Sequence, residues 1–160
     1  MIVQRAQILI VDDESFNITI LVDLLKDDYK TLIAKNGEQA LKRAQSKNQP
    51  DLILLDVMMP VMDGYEVCRQ LKRNPDTRDI PVVFVTAMGA GEDEKKGLDL
   101  GAVDYITKPF IPPVILARVR NLLQLKEARD SLKQQNVLLE EKVRERTHEV
   151  TLTKDVTILS

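Results

Sequence analysis

The chain alternates short apolar runs with longer amphipathic stretches. Ile8-Leu9-Ile10-Val11, Leu52-Ile53-Leu54-Leu55 and Pro81-Val82-Val83-Phe84-Val85 show no polar alternation, the pattern of strands buried on both faces of a parallel sheet. Lys30 to Ala34 and Val103-Asp104-Tyr105-Ile106 predict two further strands. Between these runs the period changes to that of a helix. Ser15 is placed to cap a helix whose broad apolar face is Phe16, Ile18, Ile20, Leu21, Leu24 and Leu25. After an Asn36-Gly37 turn, Glu38 to Ser46 turns Ala40, Leu41 and Ala44 inward and stops at Asn48-Gln49-Pro50. Tyr65, Val67, Cys68 and Leu71 follow the Asp63-Gly64 turn at helical spacing, and Glu92 to Leu100 forms a short helix closed by Gly101. Pro112-Pro113 opens a last helix, and no glycine or proline follows through Ser160.

Five strands alternating with five helices predict an α/β fold, a doubly wound parallel sheet with helices on both faces. Right-handed crossovers bring the carboxyl end of every strand to one edge. Four strands deliver polar residues there: Asp12, Asp13 and Glu14 after the first, Asp56 after the third, Thr86 after the fourth and Lys108 after the fifth. Taken singly, each has a bland explanation. Asp12-Asp13 suits a solvated helix start, Thr86 a strand end, Tyr105 a half-buried strand aromatic and Lys108 a surface lysine. Taken together, they describe a site in the crevice beyond the sheet.

Three carboxylates in one crevice repel each other unless they take up protons or a cation. An all-oxygen set suits Mg²⁺, and His148, the one histidine, lies far along the terminal helix, so zinc is not expected. Lys108 supplies a positive point charge and Thr86 a hydroxyl donor. These parts fit phosphoryl transfer to a carboxylate nucleophile, Asp56. A nucleotide site is not expected, because G-x-x-x-x-G-K-[ST] is missing and Gly89-Ala90-Gly91 runs into Glu92-Asp93-Glu94. The phosphoryl group must therefore arrive on a small molecule or another protein.

Composition narrows the setting. With 160 residues, 44% of them hydrophobic, the chain can fill one ordinary domain plus an appendage. The net charge of −2 argues for no nucleic-acid partner, and no apolar run is long enough to span a membrane. The single Cys68 fits a reducing compartment, and a cytoplasmic location is expected.

On these residues, positions 7 to about 124 resemble the receiver domain of two-component response regulators. The resemblance implies a flavodoxin-like sheet of strand order 2-1-3-4-5 and a receiver unit over residues 1–124. It implies that Asp56 is the phosphoacceptor and that Asp13 and Asp56 hold Mg²⁺ directly. Asp12 would act largely through water, and the Met58 backbone carbonyl would be a further ligand. Thr86 and Lys108 would bind phosphoryl oxygens, Tyr105 would be the switch aromatic and Lys108-Pro109 a cis peptide bond. The implied phosphoryl source is a sensor histidine kinase or a histidine phosphotransfer protein, and the receiver itself is expected to be a switch rather than an enzyme.

From Leu122 the apolar positions follow heptads. Leu122, Arg129, Asn136, Val143 and Val150 occupy one seven-residue series and Leu125, Leu132, Leu139, Arg146 and Thr153 the other. Assigned as a and d, these favour a parallel two-stranded coil, with Asn136 fixing register. A solvated, fraying helix is the competing reading, kept open by Arg129, Arg146 and Thr153. Residues 125–160, above all Leu139 to Thr147 and Asp155 to Ser160, resemble the helical linker that leads into HD-GYP cyclic-di-GMP phosphodiesterase domains. That implies an output domain beyond this chain, since no H-D pair or G-Y-P occurs in it.

Three other functions fit the residues less well. A receiver-like dimerisation scaffold independent of phosphorylation predicts loss of an acid, Thr86 or Lys108, and none is lost. A haloacid dehalogenase-type phosphatase needs a second Asp two residues after the first, where this chain has Met58. A phosphodonor role for His148 lacks the proline and the ATP-binding domain that would accompany it.

Overall fold

A computed structural model describes residues 5–87 and 91–159, with side chains described over 5–87 and 94–147. Strands and helices alternate throughout: β1 (Gln7–Val11), α1 (Ser15–Leu25), β2 (Lys30–Ala34), α2 (Gly37–Ala44), β3 (Leu52–Asp56), α3 (Gly64–Arg73), β4 (Val82–Ala87), α4 (Gly91–Asp99), β5 (Asp104–Lys108) and α5 (Pro112–Leu159). The strands form one parallel sheet in the order β2-β1-β3-β4-β5. This is the flavodoxin-like arrangement, with a long C-terminal helix. The chain divides into two compact units, residues 1–123 and 124–160.

Because the side-chain period of a strand is two, the central strands feed two separate cores. Leu9, Val11, Ile53, Leu55, Val82 and Phe84 join Ala40, Val67, Cys68 and Leu71 on the face covered by α2 and α3. Ile8, Ile10, Leu52, Leu54, Val83, Val85 and Ile106 join Ile18, Leu21, Leu25, Ile115 and Val119 on the face of α1 and α5. β3 is buried along its whole length, including its terminal Asp56. The expectation of strands covered on both faces is met here in full.

Three local expectations are corrected. Ser15 does not cap α1: the cap is Glu14, in extended backbone (φ −99°, ψ 117°), with no side-chain cap hydrogen bond. The Asp12 carboxylate instead accepts the Glu14 amide at 2.9 Å, and the Glu14 carbonyl accepts the Ile18 amide, so the helix begins one residue earlier. Phe16 is not in the core but 75% exposed, and Ile20 and Leu24 are only half-buried. Asn36 is more than a turn residue, since its side chain caps α2 by accepting the Gln39 amide. Gly101 does take the positive φ expected of it, 104°.

In the unit of residues 124–160, Leu125, Leu132, Leu139 and Val143 are 56–66% exposed and Asn136 is exposed as well. Lys126 and Asp130 pair at 2.9 Å across one helical turn. Val150, His148 and Thr153 lie outside the residues whose side chains are described. Among the described residues no helix is long and apolar enough to cross a membrane.

Candidate phosphoacceptor and metal site

The sheet register delivers the polar residues to one edge. Val11 pairs with Leu55 and Asp56 with Val85, so Asp12, Asp56 and Thr86 all emerge where three adjacent strands end. Thr86 pairs with Thr107 and Ala87 with Lys108, which brings the lysine to the same edge. Carboxylate oxygens of Asp12, Asp13 and Asp56 lie within 4.8 Å of one another. Asp12 and Asp56 are buried, 2% and 4% exposed, whereas Asp13 faces solvent. Lys108 Nζ stands 3.4 Å from Asp56 Oδ1 and 3.7 Å from Asp12 Oδ2. One cation therefore meets two buried anions.

That imbalance is visible in the acidity of Asp56. Its pKa is raised from 3.8 to about 6, first by burial and then by repulsion from Asp12, against the opposing pull of Lys108. A carboxylate in this position gains from a neighbouring positive charge. The donor set is all oxygen, two members are inaccessible to bulk water and the third is open to it, which fits a hard divalent cation that retains part of its water shell.

Behind the acids, local packing fixes the backbone. A Cβ placed on Gly64 would stand 2.2 Å from the Asp56 carbonyl oxygen, so no larger residue fits where α3 begins. The Gly64 amide donates to the Val57 carbonyl at 2.9 Å, and Asp63 caps the helix by accepting the Glu66 amide. Thr86 is buried, with its hydroxyl donating to the Ala87 carbonyl at 3.2 Å. The Lys108-Pro109 bond is cis. Met58 turns its side chain to solvent.

Tyr105 is half-buried on β5. The Glu94 carboxylate of α4, close to its hydroxyl, raises the phenol pKa above its ordinary value. The Arg118 guanidinium lies 6.0 Å from the ring centre and also bonds Asp104 and the Tyr105 carbonyl. On the same face of the sheet Lys96 sits 4.4 Å over the ring of Tyr65, which meets Phe84 edge-on. No periodicity announces these α4 contacts, because they join residues distant along the chain.

The predicted site residues therefore divide. Asp12, Asp13, Asp56 and Lys108 converge, Thr86 borders them along β4, and Tyr105 lies along β5 on the side facing α4. Of the heptad residues, Leu122 is half-buried against the α1/α5 core, while Leu125, Leu132, Asn136, Leu139 and Val143 are exposed.

Residues 8–120 match the family model described as the response regulator receiver domain. The chain is 41% identical over 156 residues, 98% of its length, to a probable cyclic di-GMP phosphodiesterase of Vibrio cholerae, and covers 35% of that protein. It is 46% identical over 130 residues, 81% of its length, to the response regulator PleD of Caulobacter vibrioides, covering 28% of it. Among solved structures, a putative response regulator from Chloroflexus aurantiacus superposes with a TM-score of 0.72 at 35% identity, covering 76% of this chain and 99% of that one. The chemotaxis protein CheY4 of Vibrio cholerae gives 0.69 at 30% identity, with 74% and 98% covered. The chain thus spans about a third of the length of these two curated relatives.

Proposed function

Because this chain belongs to the response regulator receiver domain family of two-component signalling, we propose that Asp56 accepts a phosphoryl group from a sensor histidine kinase or a histidine phosphotransfer protein. The observation that carries this reading is the buried Asp56 carboxylate, held 3.4 Å from Lys108 within the three-acid cluster. Asp56 is the nucleophile, and Lys108 neutralises phosphoryl oxygens as they approach. Thr86 offers its hydroxyl to the same oxygens once it leaves the Ala87 carbonyl.

Asp13 and Asp56 would hold Mg²⁺, with the Met58 carbonyl as a further ligand and Asp12 acting through water. When bound, Mg²⁺ offsets the charge of the incoming phosphoryl group and holds Asp56 ionised. The phosphoryl group then favours the conformation in which Thr86 turns inward and Tyr105 fills the space released, leaving Glu94. Such a ligand shifts the population only by contacting one state better than the other.

The output reading rests on the extent of the match. Similarity to PleD ends after 130 residues, whereas similarity to the probable phosphodiesterase continues over 156 and so takes in the helical segment. We assign residues 1–124 to the receiver and 125–160 to a linker that pairs in parallel with a second copy. The signal passes along α5 and this coil to an output domain of the cyclic-di-GMP phosphodiesterase class.

Incubation with a small phosphodonor and Mg²⁺ tests the phosphoacceptor. One phosphoryl group per chain is expected on the wild type and none on Asp56→Asn. Labelling of the variant, or full labelling in excess chelator, overturns the assignment.

A further inference from the structure

A loop carbonyl can serve a metal only when the loop itself is held, and Met58 lies in the β3–α3 loop. The base of that loop is closed by the bond from the Gly64 amide to the Val57 carbonyl. Its tip is an unusual turn. Val61 has φ 68°, and the Met62 amide donates to the Pro60 carbonyl at 2.8 Å, which makes a three-residue γ-turn of the rare positive-φ kind. A β-branched residue is disfavoured there, so the turn persists only because its surroundings impose it.

Solvent does not supply that restraint, since Met58, Pro60 and Val61 all face outward. Met59 is buried in the core beneath, and Met62 packs on the same core from the far side of the turn. Met62 lies over Gly37, the first helical residue of α2. A Cβ at Gly37 would stand 2.7 Å from Met62 Sδ, 3.0 Å from Met62 Cβ and 2.9 Å from Val67 Cγ2. Val67 is fully buried on α3 and has nowhere to go. Met62 does: a cavity of about 540 Å³, bordered by Lys35, Asn36, Glu38, Pro60 and Val61, lies beside it. A methyl group at Gly37 would therefore displace Met62, and the γ-turn with it.

We propose that Gly37 and Met62 are positioning residues, a notch and its peg, which lock the β3–α3 loop so that the Met58 carbonyl is presented to the metal beside Asp56. The proposal rests on the metal reading given above. It separates two roles of the loop: Asp56 is placed by the sheet, whereas the carbonyl is placed by α2.

Calorimetric titration with Mg²⁺, paired with amide exchange over residues 58–64 of the metal-free protein, tests it. Gly37→Ala and Met62→Ala should each weaken Mg²⁺ binding on the order of tenfold and speed exchange at the Met62 amide. The double variant should bind no more weakly than Met62→Ala alone, because Gly37 acts through Met62. Met62→Leu, which conserves volume, should retain binding and folding. Unchanged affinity in both single variants, additive losses in the double, or weakened binding with unaltered exchange each overturns the proposal while leaving the metal reading intact. A wild type that binds no Mg²⁺ overturns the metal reading and this proposal together.

Discussion

Within residues 5–87 and 94–123, the apolar runs are covered on both faces, and Ile8, Leu9, Ile10 and Leu52 to Leu55 have no exposed surface. Over 124–147 the opposite holds: leucines spaced by seven residues are 59–66% exposed. The first region finds its core inside one chain. The second has an apolar stripe that one helix cannot cover, and isolated helices draw little stability from propensity alone. On the proposed function chemistry and assembly would thereby be separated: the strand-end site would need only the folded receiver, and the coil a second copy.

The largest effect should come from breaking the second region alone. Each leucine covered in a seam contributes roughly 1.5–3 kcal/mol. Leu132→Asp plus Leu139→Asp should therefore weaken dimerisation by about a thousandfold or more, giving monomers in sedimentation equilibrium that still accept phosphoryl on Asp56. A wild type already monomeric at high micromolar concentration would remove the contrast between the two regions.

A smaller effect, about 3 kcal/mol, should appear in the receiver's response to pH. The folded pKa of Asp56, about 6, lies above its ordinary 3.8. Between these values the folded protein keeps a proton that the unfolded chain has released, so stability falls as pH rises from about 4 to about 6. At about 1.4 kcal/mol per pH unit this gives the stated magnitude. Asp56→Asn should flatten the profile, and saturating Mg²⁺ should shrink it by favouring the ionised carboxylate. Denaturant melts across that range would show the fall, and a rise instead would contradict the burial and repulsion assigned to Asp56.

The smallest effect concerns the loop over the site. Val61→Gly relieves a positive φ at a β-branched residue and should stabilise the metal-free protein by about 1 kcal/mol, less what glycine adds to the freedom of the unfolded chain. Loss of stability on that change would mean that the exposed valine side chain makes contacts that offset its strain.

The sheet and its acids were legible in the sequence because unbroken apolar runs have few alternative fates, and an Asp ending such a run is conspicuous. Asp12, Asp56 and Lys108 follow from that pattern plus the rule that crossovers are right-handed. The start of α1 was not legible. Periodicity counts Phe16 as part of the apolar face, but Ser15 and Phe16 are exposed and the packed face of α1 begins at Ile18. Ser15 was a plausible cap until the Asp12 side chain took the Glu14 amide. The seat of Met62 over Gly37 was beyond reach for a different reason: it joins the β3–α3 loop to the start of α2, positions 25 residues apart, and no local pattern encodes a tertiary fit.

On the proposed function the sheet edge makes Asp56, and no neighbouring acid, the phosphoryl acceptor. Reduction of the labelled protein with borohydride converts an acyl phosphate to the alcohol, so the acceptor aspartate becomes homoserine and can be located by peptide mass mapping. Homoserine at position 56 alone, dependent on Mg²⁺ during labelling, is the predicted result. Homoserine at Asp12 or Asp13, or a phosphoryl label that leaves every aspartate intact, would contradict it.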